Sequence, residues 1–249
     1  MKRKRFYQNN ELGSDPMAEP RIWKVRGLLR KEQQAVDKFL DIGCFDGTIS
    51  HLFGSVLKAK EIYGIDNSSK AIKAAKKTGI KAYELDIDKE DLPFEDNSFD
   101  AIFCGEVIEH LFDPDNLLDE VYRVLKPGGF CIITTPNLAG WRNRLVIIAG
   151  FQPYFSSASL RNYNVGKLTL GMDSGAGREH IRNFTLRGLK GLLRLHNFKI
   201  KRVIGSGLRL SEVIPLKWGF PVILAEKLMA MIPSLATCLI VEVEKPSSD

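Results

Sequence analysis

From Lys38 onward, short apolar runs bounded by Gly and Asp alternate with stretches whose apolar residues recur at helical spacing. That order predicts parallel strands joined by crossover helices. The first run, KFLDIG at Lys38 to Gly43, is followed by Ile49, Leu52, Phe53, Val56 and Leu57 at i, i+3, i+4, i+7 and i+8. This is a βα unit. A second strand, EIYGID, ends at Asp66, and Ser68 or Ser69 caps a short helix rich in Ala and Lys that stops at Gly79. The third strand is IKAYEL, ending before Asp86.

After an acidic loop, FDAIFC (Phe99 to Cys104) is apolar at nearly every position, as a strand buried on both faces requires. Asp113 and Pro114 supply an N-cap and first-turn residue for a helix with Leu117, Leu118, Val121, Val124 and Leu125 on its inner face. The sequence Lys126-Pro127-Gly128-Gly129 ends that helix, and FCIITT is the fifth strand. From Pro136 to Phe184 no alternation appears apart from the apolar LVIIA at Leu145 to Ala149. An interval that long inside a compact domain is expected to serve as a lid or substrate cap. Thr185 then caps a helix from Leu186 to Leu195, and FKIKRVI and CLIVEVEK fit an antiparallel pair at the sheet edge. The expected fold is α/β: a Rossmann-like, doubly wound, seven-stranded and mostly parallel sheet with an antiparallel edge pair and an inserted cap. Residues 1–20, polar and aperiodic, are expected to be a flexible basic tail. Residues 21–249 form one domain with cap insertions at about 137–184 and 207–235.

The chain has 249 residues, 44% hydrophobic and 27% charged, enough for a sizeable core without disulfides or metals to staple it. Its formal charge is +6, yet residues 1–31 hold nine basic and three acidic side chains and so account for all of it. Residues 32–120 carry 9 basic and 20 acidic groups, and residues 121–249 carry 18 and 7. The basic balance is therefore a poor argument for nucleic acid, which is disfavoured as a partner. Cys44, Cys104, Cys131 and Cys238 are widely spaced with no CxxC pair, which excludes a disulfide scaffold or zinc ribbon as a first reading. MKRKRFYQNN has no apolar stretch behind its basic run, so no secretory leader is expected. The most apolar region, Val213 to Val243, is broken by prolines and charges and falls short of a membrane span. Met229 and Met231 within it are expected in the core. These features point to a cytoplasmic protein.

In an open parallel sheet, ligands bind beyond the carboxyl ends of the strands. Here those ends read DIGCFDG, Asp66, Asp86 and Gly105-Glu106. Gly43 and Gly47 allow a tight turn and a close backbone approach to a ligand. A dinucleotide loop requires GxGxxG, but Phe45 and Thr48 stand at its second and third glycine positions, so NAD and FAD are disfavoured.

At this loop the chain resembles the class I S-adenosylmethionine-dependent methyltransferases, small-molecule type, similar to the quinone-biosynthesis O-methyltransferases. Their first motif reads (E/D)xGxGxG; Asp41, Gly43 and Gly47 match, and Phe45 departs at the middle glycine. The resemblance continues through LPFEDNSFDAIFCGEVIEHL, LKPGGFCIITTPN and REHIRNFT, covering roughly residues 38 to 204. It implies S-adenosyl-L-methionine as cofactor. Asp66, with Asn67 beside it, would accept from the ribose hydroxyls, and Asp86 with the Ile87 amide would meet the adenine, with Asp88 a competitor for that role. Asp41, Gly43 and Gly47 would line the amino-acid end, and Glu106 would face its positive charge.

Methyl transfer to oxygen also requires a proton acceptor. Candidates cluster at Glu106-Val107-Ile108-Glu109-His110 and Glu179-His180, with Glu109, His110 and His180 the expected catalytic residues. A similar ExxEH stretch holds a divalent cation in quinone O-methyltransferases and small-RNA methyltransferases, which leaves metal ligation by Glu106, Glu109, His110 and His180 open beside a purely structural role. Trp141, Arg142, Arg144, Tyr154, Phe155, Arg161, Tyr163, Arg178 and Arg182 suit an anionic or aromatic small-molecule acceptor or simply pack the cap. The expected activity is methyl transfer to a small molecule, most readily to an oxygen of a quinone-like, sugar or lipid-linked substrate. The alternatives are RNA or protein methylation and a non-catalytic cofactor-binding module.

Overall fold

The computed structural model describes residues 19–159, 161–168, 180–207 and 216–247. It contains helix α1 (Pro20–Leu29), β1 (Lys38–Ile42), α2 (Thr48–Leu57), β2 (Glu61–Asp66), α3 (Ser69–Lys77), β3 (Lys81–Glu84) and β4 (Phe99–Gly105). A single 3₁₀ turn, Ile108–His110, precedes α4 (Pro114–Val124), β5 (Leu125–Pro136), α5 (Trp141–Ile148), α6 (Leu186–Leu195), β6 (Lys199–Ser206), α7 (Leu216–Met229) and β7 (Cys238–Glu244). The seven strands lie in the order β3-β2-β1-β4-β5-β7-β6. Pairing is parallel from β3 to β5, while β7 runs antiparallel to both β5 and β6. This is the Rossmann-like, mostly parallel sheet with an antiparallel edge pair that the sequence pattern predicts.

Both faces of the sheet are covered because successive strand residues point to opposite sides. Phe39, Phe103, Phe130, Ile132 and Ile240 pack under α1 and α2. Leu40, Ile102, Cys104, Ile133 and Val241 pack with α4 and α6 on the other face. The caps fall where side-chain chemistry places them. Ser68 Oγ accepts from Ala71 N, Asp113 Oδ1 from Asn116 N and Thr185 Oγ1 from Gly188 N. Arg123 pins the LPFEDNSFD loop by donating to Glu120, Asp96 and the carbonyls of Leu92 and Phe94.

Several expectations need correction. The Lys126–Gly129 segment does not separate α4 from the next strand. Leu125 already pairs with Phe99, and the register then jumps so that Phe130 opposes Ala101, leaving the Pro and Gly residues in a bulge. Gly128 takes φ +78° there. Helix α1 begins at Pro20, inside the stretch read as tail; residues 1–18 of that tail lie outside the described residues. The apolar LVIIA belongs to α5, and α7 forms across Pro221 despite the prolines that masked it. Met231, expected in the core, is 76% exposed.

Candidate active site

The first βα turn is built on left-handed backbone. Gly43 and Gly47 both sit at φ +81°, and Phe45 between them is at φ +47°, so the position without the family's glycine still adopts the glycine conformation. A Cβ at Gly43 would fall 2.4 Å from Val107 Cγ2, which brings the turn against the segment after β4. The Gly43 and Cys44 amides donate to the Ile65 carbonyl, tying the turn to β2. Asp41 lies beneath the turn, 2% exposed, and accepts from Ser50 Oγ at 2.6 Å. Burial pushes its carboxyl up to about 7, against the pull of the Ser50 hydroxyl.

Asp66 ends β2 beside this turn. Its Oδ2 accepts from the Phe45 amide at 3.0 Å and its Oδ1 from the Ser68 amide at 2.9 Å. Burial holds its carboxyl above the usual range, opposed by the amides of Ser68, Phe45 and Asn67. The carboxylate keeps lone-pair capacity for a ligand hydroxyl. Asp86 follows β3 in an ion pair with Lys89, next to buried Ile87. Asp88 instead accepts from the Phe112 and Asp113 amides and braces the turn into α4. Gly43, Asp66 and Asp86 thus lie along one carboxyl rim, at the ends of the adjacent strands β1, β2 and β3.

Glu106, just past β4, has φ +56° and donates its amide to the Thr134 carbonyl of β5. Its Oε1 accepts from Thr134 Oγ1 at 3.1 Å and from Cys238 Sγ at 3.6 Å, and lies 3.7 Å from Arg21 Nε. Arg21 also donates to Thr134 Oγ1 at 3.2 Å. A cation from α1 therefore already meets the carboxylate that the sequence assigns to a positive ligand. No motif marks Arg21, because the polar segment before it hides the helix that carries it.

The candidate proton-handling residues converge. Glu109 is 1% exposed; its Oε2 accepts from Thr135 Oγ1 at 3.0 Å, while its Oε1 is buried with no hydrogen-bond partner among the described residues. Burial, reinforced by the Glu106 charge, drives its carboxyl well above the ordinary range. The His110 and His180 rings meet edge to face with centroids 4.8 Å apart. His180 Nδ1 lies 3.2 Å from the Phe155 carbonyl oxygen, and the two rings stack at 6.3 Å. Burial and the neighbouring His110 push His180 down to about 4, so it is neutral near pH 7. The Glu109 carbonyl accepts from the Ile181 and Arg182 amides, which carries the far end of the cap interval back to the 3₁₀ turn.

Ligand atoms of Glu109, His110 and His180 lie within 4.8 Å of one another. Two bonds of about 2.1 Å hold ligand atoms at most ~4.2 Å apart. The three donors thus fit a divalent cation after a small inward movement, and the orphaned Glu109 oxygen is a ready ligand. Glu106, the fourth expected ligand, is engaged with Arg21, Thr134 and Cys238 instead. In the interval after β5, Arg142 stacks over Tyr154 at 4.9 Å, Arg144 donates to the Ala139 carbonyl and Arg182 to the Phe112 carbonyl. Much of that arginine inventory braces the chain itself. Arg178 and Glu179 lie outside the described residues.

Residues 40–133 match the family model described as a methyltransferase domain. The ubiquinone/menaquinone biosynthesis C-methyltransferase of Desulfotalea psychrophila is 32% identical over 126 residues, which is 48% of this chain and 50% of that protein. The ubiquinone biosynthesis O-methyltransferase of Thiobacillus denitrificans is 31% identical over 130 residues, 49% of this chain and 54% of that protein. The chain spans about half the length of the curated relatives it matches. Among solved structures, an S-adenosylmethionine-dependent methyltransferase from Mesorhizobium loti superposes with a TM-score of 0.60 at 20% identity, covering 93% of this chain and 100% of that one. At such identity the likeness establishes fold alone, and the cyclase SpnF shares it at a TM-score of 0.56 and 18% identity, over 90% of this chain and 82% of its own. Residues 40–133 thus match a methyltransferase domain, and the chain shares its fold with solved S-adenosylmethionine-dependent methyltransferases.

Proposed function

We propose that the protein transfers a methyl group from S-adenosylmethionine to an oxygen of a small, ring-bearing acceptor of the quinone-precursor type. The observation that carries this reading is the meeting of Glu109, His110 and His180 beside the carboxyl rim that ends in Gly43, Asp66 and Asp86. When bound, the cofactor supplies an electrophilic methyl group on a positively charged sulfur. Asp66 would hold the ribose through its remaining lone-pair capacity, with Asn67 beside it; Asp86 and the Ile87 amide would meet the adenine. Gly43 and Gly47 would give the amino-acid end close access to the backbone. Asp41 would act from below by holding the turn. Arg21 and Glu106 would face the carboxylate and ammonium of that end, opposite charges for a zwitterion.

The acceptor hydroxyl loses its proton as the new carbon–oxygen bond forms and the methyl–sulfur bond breaks. Neutral His180, paired with His110, would take that proton at its other ring nitrogen, and the charge of Glu106 would favour the protonated ring. The buried Glu109 oxygen also favours a second reading, in which Glu109, His110 and His180 hold a divalent cation that would orient and acidify the hydroxyl. Cap segments at about 137–184 and 207–235 would choose the acceptor. Four buried free cysteines support a reducing, cytoplasmic setting; among the described residues no helix is long and apolar enough to cross a membrane.

The test is His180→Ala, with transfer to a catechol acceptor followed by mass spectrometry. Turnover should fall by about 10²-fold or more, with S-adenosylmethionine affinity nearly intact. Equal loss of both would assign His180 a structural role. Tight cofactor binding with no transfer to any ring acceptor would favour a non-catalytic module.

A further inference from the structure

Exposed large apolar side chains are concentrated in two segments, 145–151 and 224–232, on α5, on α7 and in the residues that follow each. Ile148 is 84% exposed, Met231 76% and Leu145 57%, and Ile147, Leu228 and Ile232 are about half exposed. Leu145, Ile147 and Ile148 on α5, and Leu228 on α7 with Met231 and Ile232 in the turn after it, leave apolar side chains open to solvent in both segments. The segments are tied together. Trp141 Nε1 donates to Glu226 Oε2 at 2.8 Å, the Trp141 amide to the Leu235 carbonyl at 2.8 Å, and Arg144 to the Ser234 carbonyl at 3.3 Å. An apolar surface of this kind on a folded chain marks an interaction face.

Charge selects the occupant. Arg142 and Arg144 lie on α5, and Lys217 and Lys227 on α7. The two helices hold a single carboxylate, Glu226, and it is buried against Trp141 and Thr237. Arg144 and Lys227 are exposed next to these apolar side chains, a basic and apolar mixture that suits an anionic membrane interface. Neither helix is long and apolar enough to span. The face also starts at the site: α5 begins six residues after Thr135, which hydrogen-bonds Glu109.

We propose that α5, α7 and the residues after them form a peripheral docking face for an anionic lipid bilayer, seating the carboxyl rim at the membrane surface. The proposal does not depend on methyl transfer, because its test needs no turnover.

The test is co-sedimentation of the full chain with vesicles of phosphatidylcholine alone and with phosphatidylglycerol added. Binding should be about tenfold or more stronger to the anionic vesicles and should fall as salt rises. The double variant Ile148→Asp/Met231→Asp should lose it, with an unchanged circular dichroism spectrum and unchanged S-adenosylmethionine affinity. Lys227→Glu should reduce the anionic preference alone. Equal pelleting of wild type and double variant, or no preference for anionic vesicles, would overturn the proposal. So would a dimer in sedimentation velocity that the double variant abolishes while wild type ignores vesicles, since the face would then bind a second copy.

Discussion

Asp41 illustrates what burial does to one carboxyl group. Beneath the glycine turn and bonded to Ser50, it is pushed up to about 7. Its folded-state value is therefore raised above its unfolded one, so its contribution is most favourable below the ordinary 3.8 and is lost as pH rises towards 7. Asp41→Asn keeps an acceptor for the Ser50 hydroxyl and removes the charge. Urea unfolding should show the variant gaining on wild type between pH 4 and 7; a pH-independent difference would contradict this. The sequence marks Asp41, Gly43, Gly47 and Asp66 because a turn against a ligand needs particular residue types there. It gives no sign of how Asp41 differs from Asp66, since that depends on which carboxyl group the next helix covers. Phe45 shows the same limit: its left-handed backbone is imposed by the fold around it.

At the scale of elements, α6 is held to α4 by His196, the C-cap of α6. Its Nδ1 lies 2.7 Å from Asp119 Oδ1 and its Nε2 2.9 Å from Asp115 Oδ1. Burial opposes charging of the ring, but the two aspartates outweigh it and raise His196 above its usual value. The clamp is therefore fully present below the unfolded value of about 6.5 and is lost as pH rises through the folded one. His196→Gln should cost more stability at pH 5.5 than at pH 8.5 in chemical denaturation; a constant cost would dismiss the clamp. Helices α4 and α6 were legible because both cap chemistry and apolar spacing point the same way. Helix α1 was not, because its inward residues Ile22, Val25, Leu28 and Leu29 follow a polar stretch. Helix α7 was hidden by Pro221 and by apolar residues on all sides, which carry no period to read.

Over the whole molecule, the alternation of acidic strand ends with apolar strands was readable because both arise from one sheet buried on two faces. The charge division between residues 32–120 and 121–249 follows the same plan, with the acidic strand ends in the first part and most of the basic residues in the second. What the sequence could not supply was convergence: Glu109, His110 and His180 meet only because the interval after β5 returns to the 3₁₀ turn. The account rests on the carboxyl rim gripping a positively charged sulfur donor. Calorimetric titration of S-adenosylmethionine into the full chain and into Asp66→Ala tests it most directly. One-site binding, weakened in the variant by about 1–3 kcal/mol, is the predicted result. No binding, or equal affinity for both proteins, would contradict it.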